Sequence, residues 1–280
     1  MGSQRLGLIA GGGRLPLEVA AGARRAGRPV VAIGFHGHTD AALEGGVESV
    51  RWLHPGQVDR AIDALLGAGA REAVMVGKLP KTVLFDRPER LELDASAAAL
   101  IRSLPDWRDD SILGLVAEHL GSRGIELLGQ LDFVPQLIVA PGALGSVKPT
   151  ASAEADIRFG WPIAKAIAGL DIGQTVVVKD GAVLAVEAIE GTDQAIRRAG
   201  TLAAEACVVK VAKPNQDPRF DLPTIGPDTA IALIDARVST LAFEASQTVV
   251  LQREELAEIA DRHGLALLGV AVDRQRGPIW

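Results

Sequence analysis

Several residue and segment types that would define a function class are scarce or missing in this 280-residue sequence. There is no tyrosine, and the other aromatic residues are four tryptophans and six phenylalanines. The single cysteine, Cys207, excludes an intramolecular disulfide and fits a reducing compartment. The sequence has no run of about 18 apolar residues and no signal-peptide pattern at its start. We therefore expect a cytoplasmic protein without a transmembrane helix.

The charge balance excludes another class of partner. Lysine and arginine number 29 against 35 aspartates and glutamates, which gives a formal net charge of −6 without a long basic run. Proteins that hold nucleic acid mainly through its phosphates carry a basic surface. We therefore expect no nucleic-acid partner. Apolar residues make up 48% of the chain, which is enough to bury a substantial core.

The first half of the chain alternates strand-like and helix-like segments. The apolar runs RLGLIAG, PVVAIGF, EAVMVG and IELLG are typical of strands, and amphipathic segments lie between them. Two further helices are predicted near 90–103 and 109–123, the second with Asp109 as its N-cap. Strands that alternate with helices of this length predict right-handed βαβ units and a parallel sheet. We expect a Rossmann-like N-terminal domain over residues 1–132.

The pattern changes near residue 130, where a stretch rich in proline and glycine begins. The sequence predicts a domain boundary there and a mixed α/β C-terminal domain over residues 133–280. Its clearest local signal is TVVVKDGAVLAV, in which two β-branched runs flank Asp180–Gly181 and predict a hairpin. A short helix follows, with Thr192 as the predicted N-cap and Gly200 as its end.

Two loops of the N-terminal domain are candidates for phosphate binding. In GLIAGGGRLP, the residues Gly11, Gly12 and Gly13 end a strand and open a helix, where backbone N–H groups can face an anion. The dinucleotide fingerprint fails, because Pro16 occupies the place of its third glycine. Lys78, in VMVGKLPK, follows another strand and should lie at the same carboxyl edge. The alternatives are a tight turn without a ligand and a solvated lysine.

Chemistry based on histidine, serine or cysteine is not supported. The five histidines form no spaced ligand cluster, and no G-x-S-x-G segment is present. Cys207 lies in an apolar run typical of a buried strand, where a thiol is unreactive. Carboxylates are therefore the best candidates for catalysis.

The segment KPNQDPRFDLPTIG, residues 213–226, combines acids and bases with three prolines. Asp217 and Asp221 are four residues apart, beside Lys213 and Arg219. Prolines restrict the backbone of a loop, and carboxylates are preferred ligands of Mg²⁺. The segment therefore predicts a preorganised site for a phosphoester. For Asp217, a turn cap is the alternative.

A second group of acids lies in VEAIEGTD, at a strand-to-helix junction. Glu187, Glu190 and Asp193 fall within seven positions there. Glu187 and Asp193 are further candidate metal ligands. The alternative for Asp193 is a favourable interaction with the helix dipole.

Five segments in this order resemble the UDP-2,3-diacylglucosamine pyrophosphatases of the LpxI type: GLIAGGGRLP, VGK, DDSIL, VEAIEGTD and KPNQDPRFDLPTIG. The resemblance runs from Leu6 to Val270. It implies two α/β domains and hydrolysis of UDP-2,3-diacylglucosamine to UMP and 2,3-diacylglucosamine 1-phosphate (lipid X). This is a step of lipid A synthesis in Gram-negative bacteria, and the resemblance implies Mg²⁺ or Mn²⁺ as the cofactor.

The resemblance implies a role for Asp221, and the motifs described above supply the other expected site residues. The essential aspartate of the family's R-x-D-L-P segment matches Asp221, which we expect to bind metal or activate water. Asp217 is its expected catalytic partner, and Asp217, Glu187 and Asp193 are further expected metal ligands. The expected substrate-binding residues are Gly11, Gly12, Gly13, Lys78, Thr192, Lys213, Gln216 and Arg219.

A lipid-linked UDP-sugar substrate implies peripheral contact with the inner membrane surface. Neither the residues nor the resemblance decides between a monomer and a homodimer. Two other functions stay open: a non-catalytic regulatory protein that binds a nucleotide or lipid, and a nicotinamide-dependent oxidoreductase. The missing third glycine counts against the oxidoreductase.

Overall fold

A computed structural model describes residues 4–81, 83, 91–273 and 277–280; the predicted start of a helix at residue 90 lies outside them. The chain forms two compact units. Unit 1 is Met1–Pro135 together with Asp217–Asp221, and unit 2 is Gln136–Gln216 together with Leu222–Trp280. Each unit contains a sheet and helices, so the predicted α/β class with two domains is confirmed. Among the described residues, no helix has both the length and the apolar character needed to cross a bilayer.

Unit 1 is built on a five-stranded parallel sheet. Its strands are β1 (Leu6–Ala10), β2 (Val30–Phe35), β3 (Ser49–Leu53), β4 (Glu72–Val76) and β5 (Glu126–Leu127). Its helices are α1 (Leu15–Arg25), α2 (Val58–Gly67), α3 (Ala95–Ser103) and α4 (Asp109–Ser122), and a 3-10 helix covers Ala41–Gly46. The strand order is β3-β2-β1-β4-β5, and every pairing is parallel. The predicted Rossmann-like sheet is therefore confirmed, with β3 as an additional edge strand.

One core of unit 1 includes a residue that is distant in sequence. Strand residues such as Ile9 and Ile33 pack with Ile62 of α2 and Leu120 of α4. Phe220, from the segment Asp217–Asp221, belongs to the same cluster and is 4% exposed. The predicted catalytic segment is thus anchored in the core of unit 1.

Unit 2 contains a larger mixed sheet. The strands of unit 2 are β6 (Gly142–Ala143), β7 (Thr175–Lys179), β8 (Ala182–Val186), β9 (Cys207–Lys210), β10 (Thr224–Ile225), β11 (Thr240–Glu244), β12 (Val249–Val250), β13 (Ala266–Asp273) and β14 (Gly277–Ile279). Strands β10 and β12 pair with each other in a separate two-stranded sheet. Its helices are α5 (Ala151–Gly169), α6 (Thr192–Gly200), α7 (Pro227–Asp235) and α8 (Arg253–Arg262). The main sheet has the order β14-β13-β11-β9-β7-β8, with β6 also on β13. Strands β9, β11 and β13 are parallel to one another. Strand β7 runs antiparallel to β9, and β8 runs antiparallel to β7.

The predicted hairpin of unit 2 is confirmed. Asp180 and Gly181 have φ values of +50° and +73°, as a two-residue turn of this kind requires. The buried carboxylate of Asp156 accepts hydrogen bonds from both of their N–H groups, at 3.0 and 2.8 Å. These bonds fix the turn against α5.

Two predicted helix caps are wrong by one residue. Asp109 is the first residue of α4, and the N-cap is Arg108. Thr192 is the first residue of α6, and the N-cap is Gly191. Arg108 makes no side-chain bond to a backbone N–H of α4, and Gly191 has no side chain. Both side chains that were expected to cap are therefore available for other contacts, which are described below.

Candidate functional site

The glycine loop and the Lys78 loop interlock at the carboxyl ends of β1 and β4. The N–H groups of Gly12 and Lys78 each donate to the other residue's carbonyl at 2.9 Å. A Cβ on Gly11 would lie 2.7 Å from the carbonyl carbon of Gly77, whose own φ is +90°. The strand order reverses between β1 and β4, which is where ligands bind in open parallel sheets. The structure therefore brings these predicted residues together at a ligand-binding edge.

The same contacts determine which backbone N–H groups of the glycine loop can bind a phosphate. The N–H of Gly11 donates to the carbonyl of Val76 at 2.7 Å, and the N–H of Gly12 is bonded to Lys78. Close approach of the Lys78 loop thus accounts for glycine at position 11, and the carbonyl of His38, 2.8 Å from a Cβ on Gly12, accounts for glycine at position 12. Gly13, with φ of +88°, and the exposed Lys78 are the members of the set with the better access to an anion.

The segment Asp217–Asp221 is held in unit 1 by a buried glutamine as well as by Phe220. The backbone N–H of Gln130 donates to the carbonyl of Pro218 at 2.9 Å. The side-chain amide of Gln130 donates to the carbonyl of Met75 in β4 at 2.7 Å. Gln130 is 5% exposed and was not predicted from the sequence. It links the segment to the strand that leads into the Lys78 loop.

Asp221 lies close to a second carboxylate in unit 1. Carboxylate oxygens of Asp109 and Asp221 are within 4.8 Å of each other. The ammonium of Lys81 lies 3.1 Å from Oδ1 of Asp109. Asp221 has φ of +56°, a left-handed conformation that is uncommon outside glycine and is tolerated by aspartate. Hard oxygen donors of this kind suit Mg²⁺ or Mn²⁺.

Asp109 had been predicted only as a helix cap. Its charge and its place in the DDSIL segment were the signals that could have identified it. A carboxylate brought near Asp221 by a separate helix cannot be recognised from local pattern alone.

Asp217 and Arg219 form a two-point ion pair. Nε and Nη2 of Arg219 lie 3.0 Å from Oδ1 and 2.7 Å from Oδ2 of Asp217, respectively. These hydrogen bonds from Arg219 lower the pKa of Asp217 below its ordinary value. The guanidinium also lies over the Phe220 ring, 5.5 Å from its centroid. Asp217 is thus ionised at neutral pH and orients Arg219.

In unit 2, Lys213 forms a buried ion pair. Its ammonium lies 2.7 Å from Oδ1 of Asp171, with side chains 5% and 7% exposed. The N–H of Lys213 donates to the side-chain oxygen of Gln216 at 3.4 Å. The structure therefore brings Lys213 and Gln216 together, with the charge of Lys213 balanced inside unit 2.

Glu187 and Thr192 meet in a polar network around Lys210. The ammonium of Lys210 donates to Oγ1 of Thr192, which donates to Glu187, both at 2.8 Å. The N–H of Gln174 donates to the other oxygen of Glu187 at 3.2 Å. Burial favours a raised pKa for Glu187, but the Lys210 charge and these hydrogen bonds outweigh it, and the pKa is lowered. Asp193 is half-buried in the first turn of α6.

Replacing Thr192 with valine should destabilise unit 2 by about 1–3 kcal/mol, because Lys210 and Glu187 would each lose a buried partner. Chemical denaturation of the protein would measure the loss, with Thr192→Ser as the matched control that keeps the hydroxyl. If Thr192 instead binds substrate, Thr192→Val would raise KM without a comparable change in the free energy of unfolding.

Two family models together match nearly the whole chain: the LpxI N-terminal domain over residues 5–137 and the LpxI C-terminal domain over residues 140–268. A relative from Caulobacter vibrioides is named UDP-2,3-diacylglucosamine pyrophosphatase LpxI. It is 34% identical to this chain over 292 aligned positions, and the match covers 98% of this chain and 100% of that protein.

Similarity to solved structures is weak. A biotin carboxylase domain of a thermophilic 2-oxoglutarate carboxylase matches 62% of this chain and 34% of its own, with 14% identity and a TM-score of 0.29. N5-carboxyaminoimidazole synthetase from Staphylococcus aureus matches 66% of this chain and 41% of its own, with 15% identity and a TM-score of 0.24. Neither match supports an argument about fold or function. The matches to both domains and to the full-length relative, by contrast, show that this chain belongs to the LpxI family.

Proposed function

We propose that this protein hydrolyses the pyrophosphate bond of UDP-2,3-diacylglucosamine, releasing UMP and 2,3-diacylglucosamine 1-phosphate, with Mg²⁺ or Mn²⁺ as cofactor. Family membership and the name of the full-length relative support the substrate. The structural observation that most supports the chemistry is the position of Asp221, whose carboxylate lies within 4.8 Å of that of Asp109.

Asp221 and Asp109 would hold the cation. When bound, such an ion polarises a phosphoryl oxygen and lowers the pKa of a bound water. Asp221 would also orient the attacking water and accept its proton. Lys81, paired with Asp109 at 3.1 Å, limits the repulsion between the two carboxylates.

Cationic side chains of unit 1 would bind the pyrophosphate. Arg219 is presented by its two-point bond to Asp217, and a guanidinium can donate two hydrogen bonds to a phosphate. Lys78 is exposed beside the glycine loop. In this proposal Asp217 acts by positioning Arg219, and Glu187 acts by stabilising unit 2 through Lys210 and Thr192.

The acyl chains of the substrate lead us to place the protein at the cytoplasmic surface of the inner membrane, in peripheral contact. Vesicles that contain the lipid substrate should therefore bind the protein more than vesicles without it.

The deciding measurement is the release of UMP from UDP-2,3-diacylglucosamine. We expect turnover with Mg²⁺ or Mn²⁺, loss of turnover with a chelator, and recovery after the metal is restored. Turnover that persists in the chelator would contradict the metal requirement. A co-purified nucleotide that stays intact during prolonged incubation with metal, together with no UMP release, would instead favour a regulatory binding protein.

A further inference from the structure

A depression in unit 1, separate from the carboxylate pair, lies at the carboxyl ends of β2 and β3. Its volume is about 650 Å³, within the range of about 300–1,000 Å³ that small-molecule sites occupy. His36 directly follows β2, Trp52 lies near the end of β3, and His54 follows β3. Arg51 and Arg60 also line it. None of these residues has been assigned a role above.

The depression concentrates aromatic rings in a chain that has few of them. The rings of His36 and Trp52 are stacked, with centroids 5.9 Å apart and planes at 29°, and the rings of His36 and His54 have centroids 5.1 Å apart. Planar bases bind well to such surfaces, because every base has a face that stacks on aromatic side chains. The lining therefore suits a planar heterocycle.

The indole of Trp52 is fixed in place before any ligand arrives. Its Nε1 donates to Glu44 at 2.7 Å. Its ring lies directly over Gly34 of β2, where an added Cβ would be 2.8 Å from a ring carbon. A ring held on two sides loses little freedom on binding, so it favours affinity for a stacked ligand.

The charged side chains that line the depression favour an anion. Asp63 is paired with Arg123 at 2.9 Å, and Glu92 is 3.2 Å from His54. Within residues 4–81, 83, 91–273 and 277–280, Arg51 and Arg60 are exposed and form no ion pair. The acids are thus engaged while both guanidinium groups remain accessible.

A metal is a poor fit to the same residues. In the described parts of the chain, His36, His54 and Glu92 do not place three ligand atoms close enough together to hold one ion. Aromatic rings with accessible arginines instead match a base joined to a phosphate.

The lining of the depression is also close to the glycine loop, through the loop after β2. The loop after β2 contains both His36 and His38, and the carbonyl of His38 would lie 2.8 Å from a Cβ on Gly12. In the sheet, β3 is two strands from β1, which corresponds to about 10 Å. A nucleoside diphosphate can bridge that interval, with its base over Trp52 and its phosphates near Gly13.

We propose that the depression lined by His36, Trp52 and His54 binds the uracil and ribose of the UDP group, with the base stacked on the His36–Trp52 rings. This rests on the proposed function, which identifies the nucleotide. Arg51 and Arg60 supply positive charge around the ribose and the first phosphate. The site determines specificity for a nucleotide substrate and takes no part in bond cleavage.

The test compares binding of UMP with binding of ribose 5-phosphate, which has the same sugar and phosphate without the base. By calorimetry, wild-type protein should bind UMP more tightly. Trp52→Ala should weaken UMP binding about tenfold or more and leave ribose 5-phosphate binding unchanged. Trp52→Phe keeps a ring and should retain most of the affinity. Trp280→Ala, the same change at a tryptophan of unit 2, should have no effect on UMP.

Two further variants keep the test valid if Trp52→Ala folds poorly. His36→Ala and Arg51→Ala alter exposed side chains, and both should weaken UMP binding. Equal affinity of all three variants and wild type for UMP would overturn the proposal, as would equal affinity of wild type for UMP and ribose 5-phosphate.

The turnover assay separates this proposal from the proposed function. If the protein releases UMP from the lipid substrate and Trp52→Ala has the wild-type KM, the nucleoside site is wrong and the pyrophosphatase function stands. If wild type binds UMP through Trp52 but releases none from the lipid substrate, the nucleoside site stands and the hydrolytic function is wrong.

Discussion

Replacement of Asp221 by asparagine is expected to lower the rate of UMP release by about 1,000-fold. The neutral amide keeps the size of the carboxylate but can neither accept a proton from water nor bind a divalent cation as strongly. Substrate binding should be largely kept, because Lys78 and Arg219 are unchanged. The measurement is kcat and KM for UMP release at saturating Mg²⁺, with lipid substrate in mixed micelles.

Asparagine is a better test than alanine at this position. Asp221 has φ of +56°, and asparagine tolerates the left-handed region, whereas alanine is strained there. Asp180→Asn is the matched control, since Asp180 has φ of +50° and lies exposed in the hairpin of unit 2. The control should have wild-type activity. Turnover of Asp221→Asn within a few-fold of the control would contradict the role proposed for Asp221.

Replacement of Asp109 by asparagine tests whether this second carboxylate binds the same cation as Asp221. If Asp109 shares a cation with Asp221, activity of Asp109→Asn should be restored in part by raising the metal concentration, because its main defect is weaker metal binding. A defect that does not respond to metal would limit Asp109 to its ion pair with Lys81.

The regular parts of the fold could be predicted because their signals are local. The alternation of apolar strands and amphipathic helices identified the parallel sheet of unit 1, and Asp180–Gly181 identified the hairpin of unit 2. Strand β3 was missed, because SVRWL lies at the edge of the sheet and exposes Ser49 and Arg51. A half-exposed edge strand with an arginine in it has no continuous apolar run, so the Gly45–Gly46 turn signal before it was not enough to identify it.

The association of Asp217–Asp221 with unit 1 could not be read from the sequence. The segment lies about eighty residues beyond the predicted domain boundary, and the contacts that fix it are non-local. Gln130 bonds to Pro218, and Phe220 packs among residues of β1, β2, α2 and α4. Proline spacing indicated a rigid segment but not the surface on which it is fixed.

In the candidate site, too, motifs identified individual residues but not the partners that are distant in sequence. Asp221 was identified through the resemblance. Lys213 and Thr192 were predicted to contact substrate from their places in the KPNQDPRFDLPTIG and VEAIEGTD segments. In the structure their partners are Asp171 and Glu187. A buried partner satisfies a polar side chain, and such partners are identified by the fold.

Replacement of Phe220 by alanine is expected to destabilise unit 1 by about 3–5 kcal/mol, the usual loss for a buried phenylalanine. The ring is 4% exposed and packs in one core cluster of unit 1, so its removal leaves a cavity. It also removes the surface over which Arg219 lies. Because Phe220 precedes Asp221 directly, kcat should fall as well, since the carboxylate would no longer be held in place.

Hydrogen exchange can show whether this loss begins at the segment itself. The N–H of Gln130 is bonded to the carbonyl of Pro218, so its exchange reports release of the segment from unit 1. In Phe220→Ala this amide should exchange faster than the amides within β1 and β2, because local opening needs less free energy than global unfolding. Phe220→Leu, which fills most of the volume, should show a smaller effect, and Phe159→Ala, at an exposed phenylalanine of α5 (42% exposed), should show none. Unchanged exchange at Gln130 in Phe220→Ala would mean that Phe220 does not anchor the segment, and the position of Asp221 would then depend on the bond between Gln130 and Pro218 instead.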